Sequence, residues 1–481
     1  MLSVDMERVK NIHLIGIGGC GVSAIGKILH QMGYKVSGSD IKENSNTMRL
    51  KDLGVKVFIG HDRSHLREAD LVVYSSAVTT ENVELAAATS LKIPILKRAE
   101  MLSFIMNRFK KRIAVAGTHG KTTTTSMIAK ILYDGGLDPT FLIGGETDYI
   151  DGNARLGKGD YAVAEADESD GSFLELSPNI SIVTNIEPDH MEYFGTNEKL
   201  LLVFEEFINK LDKDGLLVIG LDNPANREML SKISRKTITY GFTGEADLRA
   251  NNFGFSGMGS RFDVYHKEKL LGEARLSIPG EQNISDALAA IAVGLEADLP
   301  FNMIASILNS FGGAKRRFQI IGEVNNVMVV DDYAHHPTEI KATLRAARFA
   351  WNGEKRIIAV FQPHRYTRTF HLAAQFYDAF VDADMVILTD IYSAGEAPIP
   401  NVDGRMIAKE VEKQKEVLYL PRKERIAEQL VNITKPNDVV IIMGAGDINT
   451  VGKEILTRLK MSAEGARLPD EQGSASGRKE K

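Results

Sequence analysis

The sequence predicts an α/β protein built as three successive domains, and three observations carry that expectation. Short β-rich runs alternate with helical stretches from Asn11 to about Arg108, the alternation restarts at Ile113, and it restarts again after the glycine break Gly312-Gly313. Strands that alternate with helices this way form parallel sheets covered by helices. At 481 residues the chain is also too long for one core.

In the first block NIHLIGI, YKVSGSD, VKVFIG, DLVVYSS and IPIL are the strands of a doubly wound sheet. The turn GIGGCG, Gly16 to Gly21, stands between the first strand and a helical pattern, as a dinucleotide-binding strand, turn and helix would. Asp40 falls where such an enzyme binds a ribose. Cys20 inside the turn is expected to be a small filler.

The basic stretch Asn107 to Arg112 is a linker to the strand Ile113 to Ala116. After it, Gly117, Thr118, His119, Gly120, Lys121, Thr122 and Thr123 lead into the helix SMIAKIL. Glycines let successive N–H groups and the helix N-terminus face phosphate oxygens. Lys121 then reaches the β and γ phosphates, and the Thr122 hydroxyl can ligate Mg²⁺. Val115 stands where the general pattern has its first glycine, but strand, turn, Lys-Thr and helix coincide. ATP and Mg²⁺ follow as expectations. Candidate metal ligands, oxygens with one imidazole, come next, with Glu165, Asp167, Glu168 and Asp170 in YAVAEADESDGSF and Asn185, Glu187, Asp189 and His190 in SIVTNIEPDHMEYFG. GLLVIG, the alternating RFDVYHKEKLLGEARLSI and an alanine-rich helix around Asp286 to Gly294 complete a mixed sheet with helices.

The third block holds the strands VMVVDDYA, RIIAVFQ, DMVILTDI and DVVIIMGAG. DDYAHHPTEI ends a strand with Asp331, Asp332, Tyr333, His335 and His336 before Pro337 starts a helix. Adjacent histidines diverge and no cysteine is near, which argues against zinc. FQPHRYTRT offers His364, Arg365 and Arg368, a cationic cluster suited to a carboxylate. From Met461 the composition turns to Gly, Ser, Glu and Lys, as in a disordered tail.

A net charge of −6 excludes a broad basic surface for nucleic acid or anionic membrane. The single cysteine forbids an internal disulfide and suits a reducing compartment. The opening MLSVDMERVK has no apolar signal core, and nowhere do eighteen apolar residues run together. The expectation is a cytoplasmic protein, monomer or weak homodimer, without membrane insertion.

GTHGKTTTT, EADESDGSF and TNIEPDHMEYFG, in this order, resemble the Mur ligases of peptidoglycan synthesis, ATP-dependent enzymes that form amide bonds. GIGGCGVSAIG, GAKRRF, DDYAHHPTEI, FQPHRYTRT and LTDIYSAGEAPI resemble the branch of that family that joins L-alanine to UDP-N-acetylmuramate. The likeness spans about Asn11 to Leu459. It implies a Rossmann-like UDP-sugar domain over 1–108, a central P-loop ATPase-like mixed-sheet domain over 109–314, a Rossmann-like amino-acid domain over 315–460, and a tail over 461–481.

The resemblance also implies roles. Gly16, Gly18, Gly19 and Gly21 would bind the UDP diphosphate, chemically the pyrophosphate that a dinucleotide presents. Asp40, His61, Ser75 and Ser76 would be further UDP-sugar contacts. Lys121 would touch the transferred phosphate, Thr122 and Glu165 would hold Mg²⁺, and His190 a second Mg²⁺. Glu165 is preferred to Glu168 because it ends the strand. Asn283 would meet the adenine edge, although Gln282 replaces the usual histidine. Arg317, and less directly Arg316, would meet the γ-phosphate, and Asp332 the nucleoside ribose. Tyr333, His335 and His336 would line the meeting point of the substrates, with His336 among the catalytic groups. His364, Arg365 and Arg368 would bind the substrate carboxylate. Some relatives carry a carbamylated lysine after the metal histidine. Val203-Phe204-Glu205-Glu206 here has none, so no carbamate is expected. Two other readings stand beside this one. They are a recycling ligase that attaches a ready-made tripeptide, and a nicotinamide dehydrogenase built on GIGGCG, which leaves GTHGKT and the acid clusters unexplained.

Overall fold

The computed structural model describes residues 4–147, 149 and 152–463. The chain divides into two compact units, one ending at Lys315 and one beginning at Arg316.

The first unit contains two sheets. Strands Asn11–Ile15, Lys35–Asp40, Lys56–Ile59, Leu71–Tyr74 and Ile95–Lys97 form an all-parallel sheet in which the third, second, first, fourth and fifth strands lie side by side. Ile12, Leu14 and Ile15 are all buried, as expected of a central strand covered on both faces. Ile15 pairs with Ser39 on one side and Tyr74 on the other, so the strand ends carrying Gly16, Asp40 and Ser75 share one edge.

The second sheet has ten strands, with Lys111–Ala116 between Tyr161–Glu165 and Ile180–Val183, all parallel. The phosphate loop therefore leaves the sheet between the two strand ends that carry the acids. Helix Lys121–Asp134 follows, and every residue from Thr122 to Leu132 is buried. A helix buried all round is a core element, and the alanine-rich helix Glu281–Glu296 packs along it. That helix starts five residues before the stretch around Asp286 read from composition, because the first turn, capped at Gly280, is polar. The alternating segment is an antiparallel hairpin, Gly259–His266 with Lys269–Leu276. The neighbouring strand Leu248–Ser256 was not legible, since only its first three residues are buried.

The second unit is a six-stranded sheet with Asp438–Met443 between Val327–Asp332 and Arg356–Phe361, all parallel. Gln319–Val324 adds an antiparallel edge. Helix Thr450–Ala463 runs into the segment expected to be disordered, because Val451, Ile455 and Leu459 dock on the core and carry its last turn. The rest of that tail lies outside the described residues. Among the described residues, no helix is long and apolar enough to cross a membrane.

Candidate active site

The phosphate loop is shaped by two glycines. Gly117 has φ +132°, and a Cβ there would lie 2.0 Å from Thr184 Oγ1; Gly120 has φ +82°, and a Cβ would lie 2.4 Å from Asp286 Oδ1. Only glycine fits either place. The loop is stitched to the segment after strand Ile180–Val183. Thr118 N–H donates to Asn185 O at 2.9 Å, His119 N–H donates to Asn185 Oδ1 at 2.9 Å, and Thr184 Oγ1 donates to His119 O at 2.6 Å. Beneath it Thr124 Oγ1 donates to Asp286 Oδ1 at 3.0 Å.

Lys121 folds back over this loop. Its ammonium donates to Gly117 O at 2.5 Å, Thr118 O at 3.1 Å and Glu168 Oε1 at 2.8 Å. Burial works against the ammonium, but the charges of Glu168, Asp167 and Glu165 outweigh it and raise its pKa above the ordinary lysine value. Thr122 Oγ1 donates to Glu165 Oε2 at 3.2 Å, and Gly144 N–H donates to the other Glu165 oxygen. Glu168 is 2% exposed and its Oε2 has no hydrogen-bond partner. A buried carboxylate oxygen without a donor is costly unless a cation meets it. His190, held at φ +55° with its N–H on Asp189 Oδ1 at 2.8 Å, is close enough to act on the charge of Glu168. Thr122, Glu165, Glu168 and His190 are oxygen donors and one imidazole on the segments that flank the loop, the donor types that suit a hard divalent ion.

At the other glycine turn, Gly16 and Ile17 N–H donate to Ser39 O at 2.9 and 3.0 Å, Gly19 N–H to Gly16 O at 3.1 Å, and Gly18 N–H to Asp40 Oδ2 at 2.8 Å. Three of the four glycine amides expected at a diphosphate are therefore used within the protein. Asp40 buttresses the turn, and the helix that starts at Cys20 has its N-terminus there. His61 Nδ1 lies 3.0 Å from Ser39 Oγ. Ser75 is half-buried and Ser76 exposed just past strand Leu71–Tyr74.

The two turns are joined inside the first unit. Cys20 Sγ donates to Gly144 O at 3.1 Å, Asn153 Nδ2 donates to Cys20 O at 2.8 Å, and Arg98 Nη2 lies 2.9 Å from Asp167 Oδ2. Burial pushes the Cys20 thiol up to about 11, which suits a packed, unreactive filler. Asn283 is buried, and its side-chain amide donates to Pro279 O at 2.6 Å.

In the second unit the singled-out residues gather at the carboxyl ends of the parallel strands, where open α/β sheets bind ligands. Arg316 is built into the unit, donating to Gly444 O at 2.6 Å and pairing with Asp331 at 3.2 Å. Arg317 lies over the Tyr333 ring at 5.1 Å and 3.7 Å from Glu339 Oε1. His336 caps helix Pro337–Ala350, accepting Thr338 N–H at Nδ1. His335 and His364 rings are 5.8 Å apart, His364 stacks on Tyr392, and His364 Nδ1 is 3.0 Å from Arg368 Nη1. Arg365 takes φ +69° at the start of helix Tyr366–Leu372.

Asp332 accepts Phe318 N–H and Ala334 N–H, both at 2.7 Å. Burial raises its carboxyl to about 6, against the pull of Arg317. The folded chain then holds this proton more tightly than the unfolded chain, so the Asp332 contribution to stability is full below about pH 4 and is lost as pH rises through about 6. In urea titrations of the full chain, Asp332→Asn is expected to remove that fall between those two pH values; an unchanged slope would contradict it.

Family models match three segments: "Mur ligase family, catalytic domain" over residues 11–110, "Mur ligase middle domain" over 115–294 and "Mur ligase, glutamate ligase domain" over 316–446. The UDP-N-acetylmuramate--L-alanine ligase of Pelotomaculum thermopropionicum is 48% identical over 95% of this chain and 99% of its own length. The chain belongs to the Mur ligase family. The protein of the same name from Geobacter sulfurreducens is 46% identical over 94% of this chain and 98% of its own. Among solved structures, the UDP-N-acetylmuramate-alanine ligase of Thermotoga maritima is similar with a TM-score of 0.81 and 30% identity, covering 94% of this chain and 99% of that one. A murein peptide ligase from Psychrobacter arcticus shares the fold at a TM-score of 0.71 and 24% identity, covering 94% of this chain.

In this Mur ligase several residues at the sites were not singled out from sequence. Asp286 braces the phosphate loop but hides in an alanine-rich helix that reads as plain core. Arg98 reaches Asp167 from the end of the fifth strand, a position that carries no motif. Asn44 and Asn46 both donate to Gly18 O, at 3.2 and 3.0 Å. Glu339 sits three residues after the helix cap, where a capping glutamate is ordinary; its reach to Arg317 shows only in space.

Proposed function

We propose that this chain is an ATP-dependent ligase that joins L-alanine to the lactyl carboxylate of UDP-N-acetylmuramate, releasing ADP and phosphate. The observation that carries it is 48% identity, over nearly the full length of both chains, to a ligase named for that reaction. The phosphate loop with Lys121, Thr122 and two adjoining carboxylates supplies the chemistry. We assign 1–108 to the UDP-sugar, 109–314 to ATP and 315–460 to the amino acid, and place the enzyme in the cytoplasm, where ATP is at hand.

A carboxylate does not accept an amine unaided, because its oxygen is a poor leaving group. The lactyl carboxylate attacks the γ-phosphorus of ATP, the bond to ADP breaks, and an acyl phosphate forms. The neutral amine of alanine then attacks the carbonyl and phosphate leaves. Lys121 follows the transferring phosphoryl group and offsets its charge, a role that the resemblance extends to Arg317. Thr122, Glu165, Glu168 and His190 would hold Mg²⁺, which when bound draws charge from the phosphate oxygens. Asn283 would orient the adenine and Asp332 the ribose. Tyr333, His335 and His336 would order the reacting groups, and His364, Arg365 and Arg368 would bind a carboxylate. These residues position substrates and shield the acyl phosphate from water.

The test is isotope transfer. With ¹⁸O in the lactyl carboxyl, one labelled oxygen is expected in the released phosphate; unlabelled phosphate during full turnover rules the mechanism out. Running L-alanine beside the tripeptide as acceptor separates this reading from the recycling reaction.

A further inference from the structure

Behind the Gly16 turn lies a carboxylate that the reaction above does not use. Glu84, in the first turn of helix Val83–Ser90, is wholly buried. Ser39 Oγ donates to its Oε2. His65 Nδ1 lies 2.6 Å from Oε1, His61 Nδ1 3.2 Å from Oε2, and His13 Nε2 3.6 Å from Oε2. Asp62 N–H donates to Oε1 at 3.2 Å. Three imidazoles from two segments, strand Asn11–Ile15 and the stretch after strand Lys56–Ile59, thus converge on one acid.

The surroundings are otherwise accounted for. His13 Nδ1 is 2.9 Å from Ser37 Oγ. The His65 ring stacks on Phe58 at 3.9 Å, and the Lys56 ammonium lies 4.9 Å from that same Phe58 ring. The Asp62 carboxylate accepts Ser64 N–H at 2.8 Å, and Asp40 is turned to Gly18. Among the described residues no lysine or arginine pairs with Glu84. A carboxylate removed from water keeps its charge only against a compensating charge. Burial pushes this carboxyl up, and the pull of His13 with the bonds from Ser39 and His65 outweighs it, leaving it at about 2.

The His61 and His65 side chains are 18% and 14% exposed, against 0% for His13 and Glu84, and the His65 ring is stacked on Phe58, which leaves His61 as the member free of a ring contact toward the turn. It follows Gly60, whose N–H donates to Asp40 O at 2.8 Å, and so stands at the strand edge beside Ser39, the residue whose carbonyl takes the Gly16 and Ile17 amides. We propose that Glu84 is a positioning residue for the UDP-sugar diphosphate: by engaging His61 at Nδ1 it holds the ring in the orientation that presents Nε2 to the anion. This rests on the reading of the Gly16 turn as the UDP-sugar site.

Calorimetric titration of the full chain with UDP-N-acetylmuramate tests it. Glu84→Gln is expected to weaken binding about tenfold, the loss that goes with one hydrogen bond to an anion. Binding of a non-hydrolysable ATP analogue should be kept. His61→Asn is expected to show the same loss, and the double variant no more than either. Wild-type affinity in Glu84→Gln, or additive losses in the double variant, overturn the proposal. If Glu84→Gln does not fold, His61→Asn alone decides, and wild-type affinity there overturns it. A wild-type chain that ignores UDP-N-acetylmuramate sinks the functional reading itself, a result distinct from these.

Discussion

Lys121→Ala is expected to abolish the ADP release that depends on both UDP-N-acetylmuramate and L-alanine, with kcat falling by roughly a thousandfold or more. The ammonium is held charged by three carboxylates and rests on the loop's own carbonyls, at Gly117 and Thr118. It is therefore already ordered and desolvated before any phosphate arrives, so little of its interaction with the transferring group is lost to reorganisation. Alanine leaves the loop glycines and their ties to Asn185 intact, which separates loss of chemistry from loss of fold. The measurement is coupled ADP release alongside a thermal melt. A variant with a wild-type melt and near-normal coupled turnover would contradict the role given to Lys121.

The second large effect is expected at Glu168. Glu168→Gln removes the charge opposite Lys121 and the oxygen that has no donor, and kcat is expected to fall by roughly two orders of magnitude. A metal ligand and a structural partner of Lys121 differ in one readout, the Mg²⁺ concentration needed for half-maximal rate. That requirement should rise for Glu168→Gln and for Glu165→Gln, and the larger rise marks the closer ligand. If neither variant alters the Mg²⁺ requirement, the ion is held elsewhere.

The parallel-sheet blocks, the two glycine turns and the acid-bearing strand ends were legible because each depends on local pattern: an apolar run, a turn that needs glycine, and polar residues where the run stops. The choice between Glu165 and Glu168 was less so. Both lie within four residues, and what distinguishes them is burial and the partner of each oxygen, which arise only after the strand is seated beside the loop. Asp40 shows the same limit, since spacing marks only where a dinucleotide enzyme would bind a ribose and does not reveal that the carboxylate accepts Gly18 N–H. The roles of Asp286 and Glu84 were invisible for another reason: each is one acid in a helix that reads as ordinary, and its partners come from segments far away in the chain. Helix Thr450–Ala463 outran its compositional boundary because docking at Val451, Ile455 and Leu459 orders residues that would not be helical alone.

The helix that begins at Lys121 is enclosed on every side from Thr122 to Leu132. An element without a solvent face cannot fray or tilt by itself; its amides open only when the surrounding core opens. The base on which the nucleotide would rest is then as durable as the unit that contains it. Whatever movement accompanies turnover must be carried by the loops and by whole bodies of the protein, with this rod as the fixed reference.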